Sequence, residues 1–255
     1  MSTIEIPSPD TISASGFCTT CGTYHNLRMG TAIDHCLFIM EQLARTKRID
    51  YEIPDHPANP LCSTDILYSR LGQMFGVLVC SDTQGNEVVL KAFSYKHNNL
   101  WSVDGWVPAL ADADLYDATV ARGNSLIHPL TDQINELDKT DPARAGLIEE
   151  RKKHSHRIMD DLYSLYKVQN FRGETRFLDD VFHSTQPKMP MGTGDCCAPK
   201  LLNYAAQHGL RPVSLAEFYW GKSSHDGLRN EGVFYPACER RCQPILGFML
   251  CGADH

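Results

Sequence analysis

The chain has 255 residues, enough for one large domain or two small ones, and its hydrophobic (42%) and charged (22%) fractions are those of a soluble globular protein. A formal net charge of -7 argues against a broad non-specific nucleic-acid surface. Nor does any apolar run approach the roughly 18 residues that a membrane span needs.

Met1 to Ser15 is polar and acidic, without the basic start and apolar core of a secretion signal, which leads to the expectation of a cytoplasmic location. Ten cysteines in such a chain point to metal or thiol chemistry rather than to a disulfide framework.

Residues 1–16 read as a flexible polar leader. The knuckle-like turn Phe17-Cys18-Thr19-Thr20-Cys21-Gly22 follows, with His25 and Cys36 beyond it. Two thiols two residues apart, a histidine and a further thiol are the ligand types of a small structural zinc knuckle, so Cys18, Cys21, His25 and Cys36 are the expected ligands, with His35 a competitor and a free dithiol the alternative. Ile33, Leu37, Met40 and Leu43 recur at helical spacing and predict an amphipathic helix over 31–47. Prolines at 54, 57 and 60 mark a linker, and residues 1–60 form a segment apart from an α/β domain over 61–255.

Met74–Cys80 and Glu87–Ser94 are strands by composition, joined by Ser81-Asp82-Thr83-Gln84-Gly85-Asn86 as a β-hairpin. Cys80, within an apolar strand, reads as a buried small hydrophobe. Trp101 to Ala111 is an aromatic, proline-containing loop. A charged helical hairpin is expected over about 114–180, turning at Asp141-Pro142. Its basic run Arg151-Lys152-Lys153-His154-Ser155-His156-Arg157 follows Glu149-Glu150 and reads as a solvated ion-pair face more readily than as an RNA contact. A Pro/Gly/Met-rich loop over 183–194 leads to Asp195-Cys196-Cys197 at the start of a helix. Leu210–Tyr219 is a strand, and a second thiol helix is expected from about Cys238 to Leu250.

Cys238 and Cys242, four apart on a helix, share a face and reach one ion; a tetrahedral zinc needs two more ligands, or one plus a water in a catalytic site, and Cys196 and Cys197 are the suppliers at hand. Packed thiols, or a nucleophilic cysteine at a helix start with His225 or His208 as base, are the alternatives. The order hairpin, thiol helix, strand, thiol helix resembles the zinc-dependent nucleoside and nucleic-acid deaminases, which implies an α/β fold with a mixed sheet, a zinc-bound water and a proton-carrying Glu two residues after the first ligand. Two departures stand out. The second motif is C-x-x-x-C, and Ala198 and Pro199 occupy the positions where that Glu belongs. Asp195 and Glu217 are the carboxylates left to handle protons, with Lys200 as a source of positive charge.

A further likeness rests on Gly72-Gln73-Met74-Phe75-Gly76-Val77, Gly105-Trp106-Val107-Pro108, Gly194-Asp195-Cys196 with Ala198-Pro199-Lys200, Ala216-Glu217-Phe218-Tyr219-Trp220-Gly221, and Phe234-Tyr235-Pro236-Ala237-Cys238 with Cys242. These resemble the N-terminal extension of long RluA-type pseudouridine synthases and related stand-alone bacterial proteins, over roughly residues 70–250. The resemblance implies RNA modification as context and RNA or a nucleotide as partner. The synthase domain is missing, and His156-Arg157-Ile158-Met159-Asp160 is one residue too long for the His-Arg-Leu-Asp-like catalytic segment, so pseudouridine synthesis is not expected. A non-catalytic zinc-stabilised RNA-binding or interaction module and a cysteine-dependent transferase or hydrolase remain the alternative functions.

Overall fold

The computed structural model describes residues 4–54, 58–184 and 188–253. Its elements run in the order β1 (Ile12–Cys18), β2 (Thr23–Arg28), α1 (Ala32–Thr46), α2 (Ile66–Ser69), β3 (Gln73–Ser81), β4 (Glu87–Phe93), α3 (Ala113–Glu136), α4 (Pro142–Tyr163), β5 (Lys167–Gln169), β6 (Thr175–Phe177), α5 (Leu178–Val181), α6 (Cys197–Gln207), β7 (Arg211–Trp220) and α7 (Gln243–Met249).

The fold is α/β, as its sequence pattern implies, built on a three-stranded sheet ordered β4-β3-β7; both of its ladders are antiparallel, so among the described residues it is not the mixed sheet expected. Strand alternation decides what each face meets. Phe75, Val77 and Val79 of β3, with Ala216, Phe218 and Trp220 of β7, turn towards Ile33, Cys36, Ile39, Met40 and Leu43 of α1. Met74, Leu78 and Cys80, with Leu215 and Tyr219, turn the other way onto Leu201, Leu202 and Ala205 of α6. The sheet is therefore sandwiched over β3 and β7, which are buried on both faces, while most of the edge strand β4 is half-buried or exposed. Each fully covered Leu of α6 contributes about 1.5–3 kcal/mol.

Glu217 breaks the apolar pattern of β7. It stands opposite Gly76 on the α6 side of the sheet. A Cβ on Gly76 would lie 2.7 Å from the Cys197 Cβ and 3.1 Å from the Glu217 Cγ, so the missing side chain admits the start of α6 against the sheet.

The helical hairpin is present as α3 and α4, capped at Asp112 and Asp141 by side chains that accept from Leu115 and Ala143 N–H groups. It ends earlier than expected: residues 167–177 form the β5–β6 hairpin, because Thr175 and Phe177 pair back onto Gln169 and Lys167. The basic run on α4 lies beside its own acids, with Lys152 against Glu149 and His154 against Glu150 at 4.0 Å.

The leader also differs from expectation. Ile12–Cys18 is a strand paired with Thr23–Arg28, so the knuckle is the turn of a hairpin, reversed at Gly22 (φ 69°). That hairpin packs its backbone on α7, where Gly16 meets Gly247. Residues 55–57 of the expected linker and 185–187 of the Pro/Gly/Met-rich loop lie outside the described residues. No helix among those described is long and apolar enough to cross a membrane.

Candidate metal centre and cleft

Cys196 is the N-cap of α6, and its neighbour Cys197 begins the helix. Successive residues at a helix start diverge in direction, and the two thiols part accordingly. The Cys197 sulfur is fully buried against the sheet and donates to the Met74 carbonyl at 3.4 Å. Cys196 faces the turn before α7 instead. That turn, not a continuous helix, carries Cys238 and Cys242: the Cys242 and Gln243 N–H groups both donate to the Cys238 carbonyl, and the helix proper starts after Cys242. Pro244 in its first turn removes an N–H that would have had no partner within the helix.

The three sulfurs of Cys196, Cys238 and Cys242 lie within 4.8 Å of one another, with Cys238 and Cys242 3.4 Å apart. Zn–S bonds of roughly 2.3 Å make tetrahedron edges of about 3.8 Å, so the trio fits a thiophilic ion. Shared hydrogen bonds from Cys196 and Cys242 hold the Cys238 thiol far below the ordinary thiol range and push the other two up. Three converging sulfurs, one of them favouring the thiolate, are what a thiophilic cation would complete. Cys197, expected as an alternative ligand, is turned away and does not join the group.

Beside the trio, Glu217 is buried, and its Oε1 accepts the Ala198 N–H at 2.7 Å. This carboxylate from β7 thus caps α6 from outside the helix, where the exposed N–H groups favour negative charge. Burial nevertheless pushes its pKa up to about 7.

Asp195 is also buried. Its Oδ1 accepts from the Tyr166 hydroxyl at 2.7 Å, and its carbonyl accepts from the Tyr95 N–H at 2.8 Å. Lys200 points away from the trio and donates to the Phe93 carbonyl at 2.8 Å, tying α6 to the end of β4; it is not among the residues lining the cleft.

Cys196, Cys238, Glu217 and Asp195 line one cleft of about 470 Å³, together with Met74, Ser94, Tyr95, Tyr116, Met191, Gly192, Arg229, Pro236 and Arg241. Tyr95, Tyr116, Arg229 and Arg241 were not singled out from the sequence. Tyr95 carries the one available signal in its backbone rather than its sequence: it is a non-glycine residue at φ 55°, a conformation that costs of order 1 kcal/mol. The hydrogen bond to Asp195 and edge contacts with Trp101 and Tyr116 hold it there.

No family model, curated protein or solved structure matches this chain. The functional reading therefore rests on the site.

A second group brings together Cys18, Cys21, His25 and Cys251, again within 4.8 Å. Cys21 lies 3.0 Å from His25 Nε2 and 3.9 Å from the Cys251 sulfur. Hydrogen bonds, the one from Thr23 foremost, lower the Cys21 pKa to about 6. Cys36, expected as the fourth ligand, does not take part. It sits on the buried face of α1 and donates to the Ala216 carbonyl at 3.4 Å. Cys251, just beyond α7, occupies that place instead.

Proposed function

We propose that the cleft is the active site of a metal-dependent hydrolytic deaminase acting on the base of a nucleotide. One observation carries the reading. Three sulfur donors converge beside a buried carboxyl, two of them, Cys196 and Cys238, lining the same cleft as Glu217, and the neighbouring thiol Cys197 is turned out of reach. Three protein donors with a position left for water is the pattern of catalytic rather than structural sites. When bound there, zinc or another thiophilic ion would supply Lewis acidity that activates water near neutral pH.

The chain's own residues supply the rest. Glu217 replaces the carboxylate that the deaminase layout carries on the thiol helix: it comes from the adjacent strand, and the Ala198 N–H fixes its Oε1. A carboxyl whose pKa is near 7 can both take and return a proton at neutral pH, the requirement for protonating a leaving amine. Asp195 holds the cleft wall together through Tyr166 and Tyr95. Tyr95 and Tyr116 offer aromatic surface to a planar base, and Arg229 and Arg241 offer positive charge to a phosphate. The succession of hairpin β3–β4, helix α6, strand β7 and thiol turn supports the same reading.

Ammonia release by the zinc-loaded protein, measured across nucleosides, nucleoside monophosphates and single-stranded RNA, tests it. The expected result is release from an amino-bearing base, lost in Glu217→Gln while the metal is retained. No release from any of these substrates, or release unaffected by Glu217→Gln, rules the reading out.

A further inference from the structure

We propose that Cys18, Cys21, His25 and Cys251 form a second, closed metal site that clamps the β1–β2 hairpin onto α7 and so positions Cys238 and Cys242 at the cleft. The proposal rests on donor geometry and backbone packing, independently of what reaction the cleft performs.

Four soft or borderline donors, three thiols and an imidazole, satisfy a tetrahedral ion without water. They also come from opposite ends of the chain: Cys21 and Cys251 are 230 residues apart. Chance proximity of packed thiols would not require the hairpin turn. Here Gly22 reverses the chain with its N–H on the Cys18 carbonyl at 2.8 Å, turning Cys21 back towards Cys18. Cys18 and Cys251 are buried, and Cys21 and His25 are half-buried, so the group sits at the surface end of the β1–α7 contact.

That contact is made by backbone. A Cβ on Gly247 would lie 2.0 Å from the Phe17 carbonyl oxygen, and one on Gly16 would lie 2.3 Å from the Gly247 nitrogen. Strand and helix therefore have no side-chain layer between them to absorb a shift. The same strand reaches the other site: the Ser13 carbonyl accepts the Ala237 N–H at 2.7 Å, next to Cys238. Cys242 caps the start of α7 and Cys251 follows its end, about 13 Å away by helix rise. A ligand of each site thus stands at each end of one short helix. Fixing Cys251 to the hairpin fixes the axial position of Cys242.

The test counts metal and measures its retention. Purified wild-type protein is expected to bind two equivalents of zinc. Cys251→Ala and His25→Ala each lose one, and Cys238→Ala loses the other. In Cys251→Ala, the remaining zinc should be surrendered to a competing chelator at about tenfold to a hundredfold lower chelator concentration, the usual effect of removing an outer support of a metal site. Wild-type metal content in both Cys251→Ala and His25→Ala would overturn the second site. Loss of one equivalent with unchanged chelator resistance of the other would overturn the positioning role. If Cys251→Ala fails to fold, His25→Ala at its half-buried position carries both measurements. Loss confined to Cys238→Ala would count against this site while leaving the cleft's reading intact.

Discussion

Replacing Gly76 with alanine tests the packing that brings the first thiol to the cleft. Gly76 has an ordinary extended backbone, so alanine is conformationally allowed and only space opposes it. The new Cβ would stand 2.7 Å from the Cys197 Cβ, 3.1 Å from the Glu217 Cγ and 3.4 Å from the Ala216 oxygen. Relieving the first contact alone requires the start of α6 to retreat by about 0.7 Å, and overpacking of this kind costs about 1–3 kcal/mol. The stiffer unfolded chain returns about 0.4–1 kcal/mol, leaving a net loss of roughly 1–2 kcal/mol. For a domain of this size that lowers the melting temperature by about 2–8 °C.

Gly146→Ala is the control. Gly146 lies on the exposed side of α4, where a Cβ would meet nothing within 4 Å, so the same substitution should stabilise by about 0.5–1 kcal/mol. Calorimetric melting of metal-free and metal-loaded protein separates packing from ligand linkage. A metal-free Gly76→Ala protein that melts at or above wild type would refute the close approach of α6 to the sheet.

Other outcomes follow from the same geometry. Glu217→Gln should retain the metal and lose about a hundredfold to ten-thousandfold in turnover, the range for a general acid–base group, as read by steady-state kinetics alongside metal analysis. In metal-free protein, the pKa of Glu217 is raised from 4.5 to about 7 in the fold, so its favourable contribution is complete below 4.5 and is lost as pH rises through 7. Wild type should therefore lose about 3 kcal/mol relative to Glu217→Gln across that window in denaturant titrations; parallel profiles would contradict it. Cys36→Ala should leave metal content unchanged while costing on the order of 1 kcal/mol through the small cavity it leaves. Tyr95→Ala should raise KM more than it lowers kcat, since the ring offers binding surface rather than a proton.

The elements that position the site were legible wherever periodicity was strong. The α1 stripe, the β3–β4 hairpin with its Asp82–Asn86 turn and the apolar β7 each declared themselves. Their own pattern also contained the correction to Cys36: with Ile33, Ile39, Met40 and Leu43 it completes the buried face of α1, which explains the thiol as core. Cys251 was hidden for the opposite reason. It follows an apolar helix and meets its partners only through a contact spanning 230 residues, which no local spacing encodes.

Spacing alone makes Cys238 and Cys242 helical neighbours, whereas a tight turn unites them. Either geometry brings thiols four residues apart together, so the site survived the wrong local structure. Cys196 and Cys197 differ by a single step at a helix start, and only the gap above Gly76 decides which of them turns inward. Glu217 was visible as a carboxylate inside an apolar strand. Its pairing with the start of α6 depends on register across the sheet, which the strand alone does not specify. The β1–β2 and β5–β6 hairpins are not legible in the sequence because their short strands lack a clean apolar alternation.

The most direct test of the cleft is anomalous diffraction from crystals of the zinc-loaded protein. The structure leads to a peak held by the sulfurs of Cys196, Cys238 and Cys242, with a non-protein oxygen as fourth ligand within hydrogen-bonding distance of Glu217. A peak with Cys197 as the fourth ligand, or no peak at the trio in protein that holds zinc at Cys251, would contradict it.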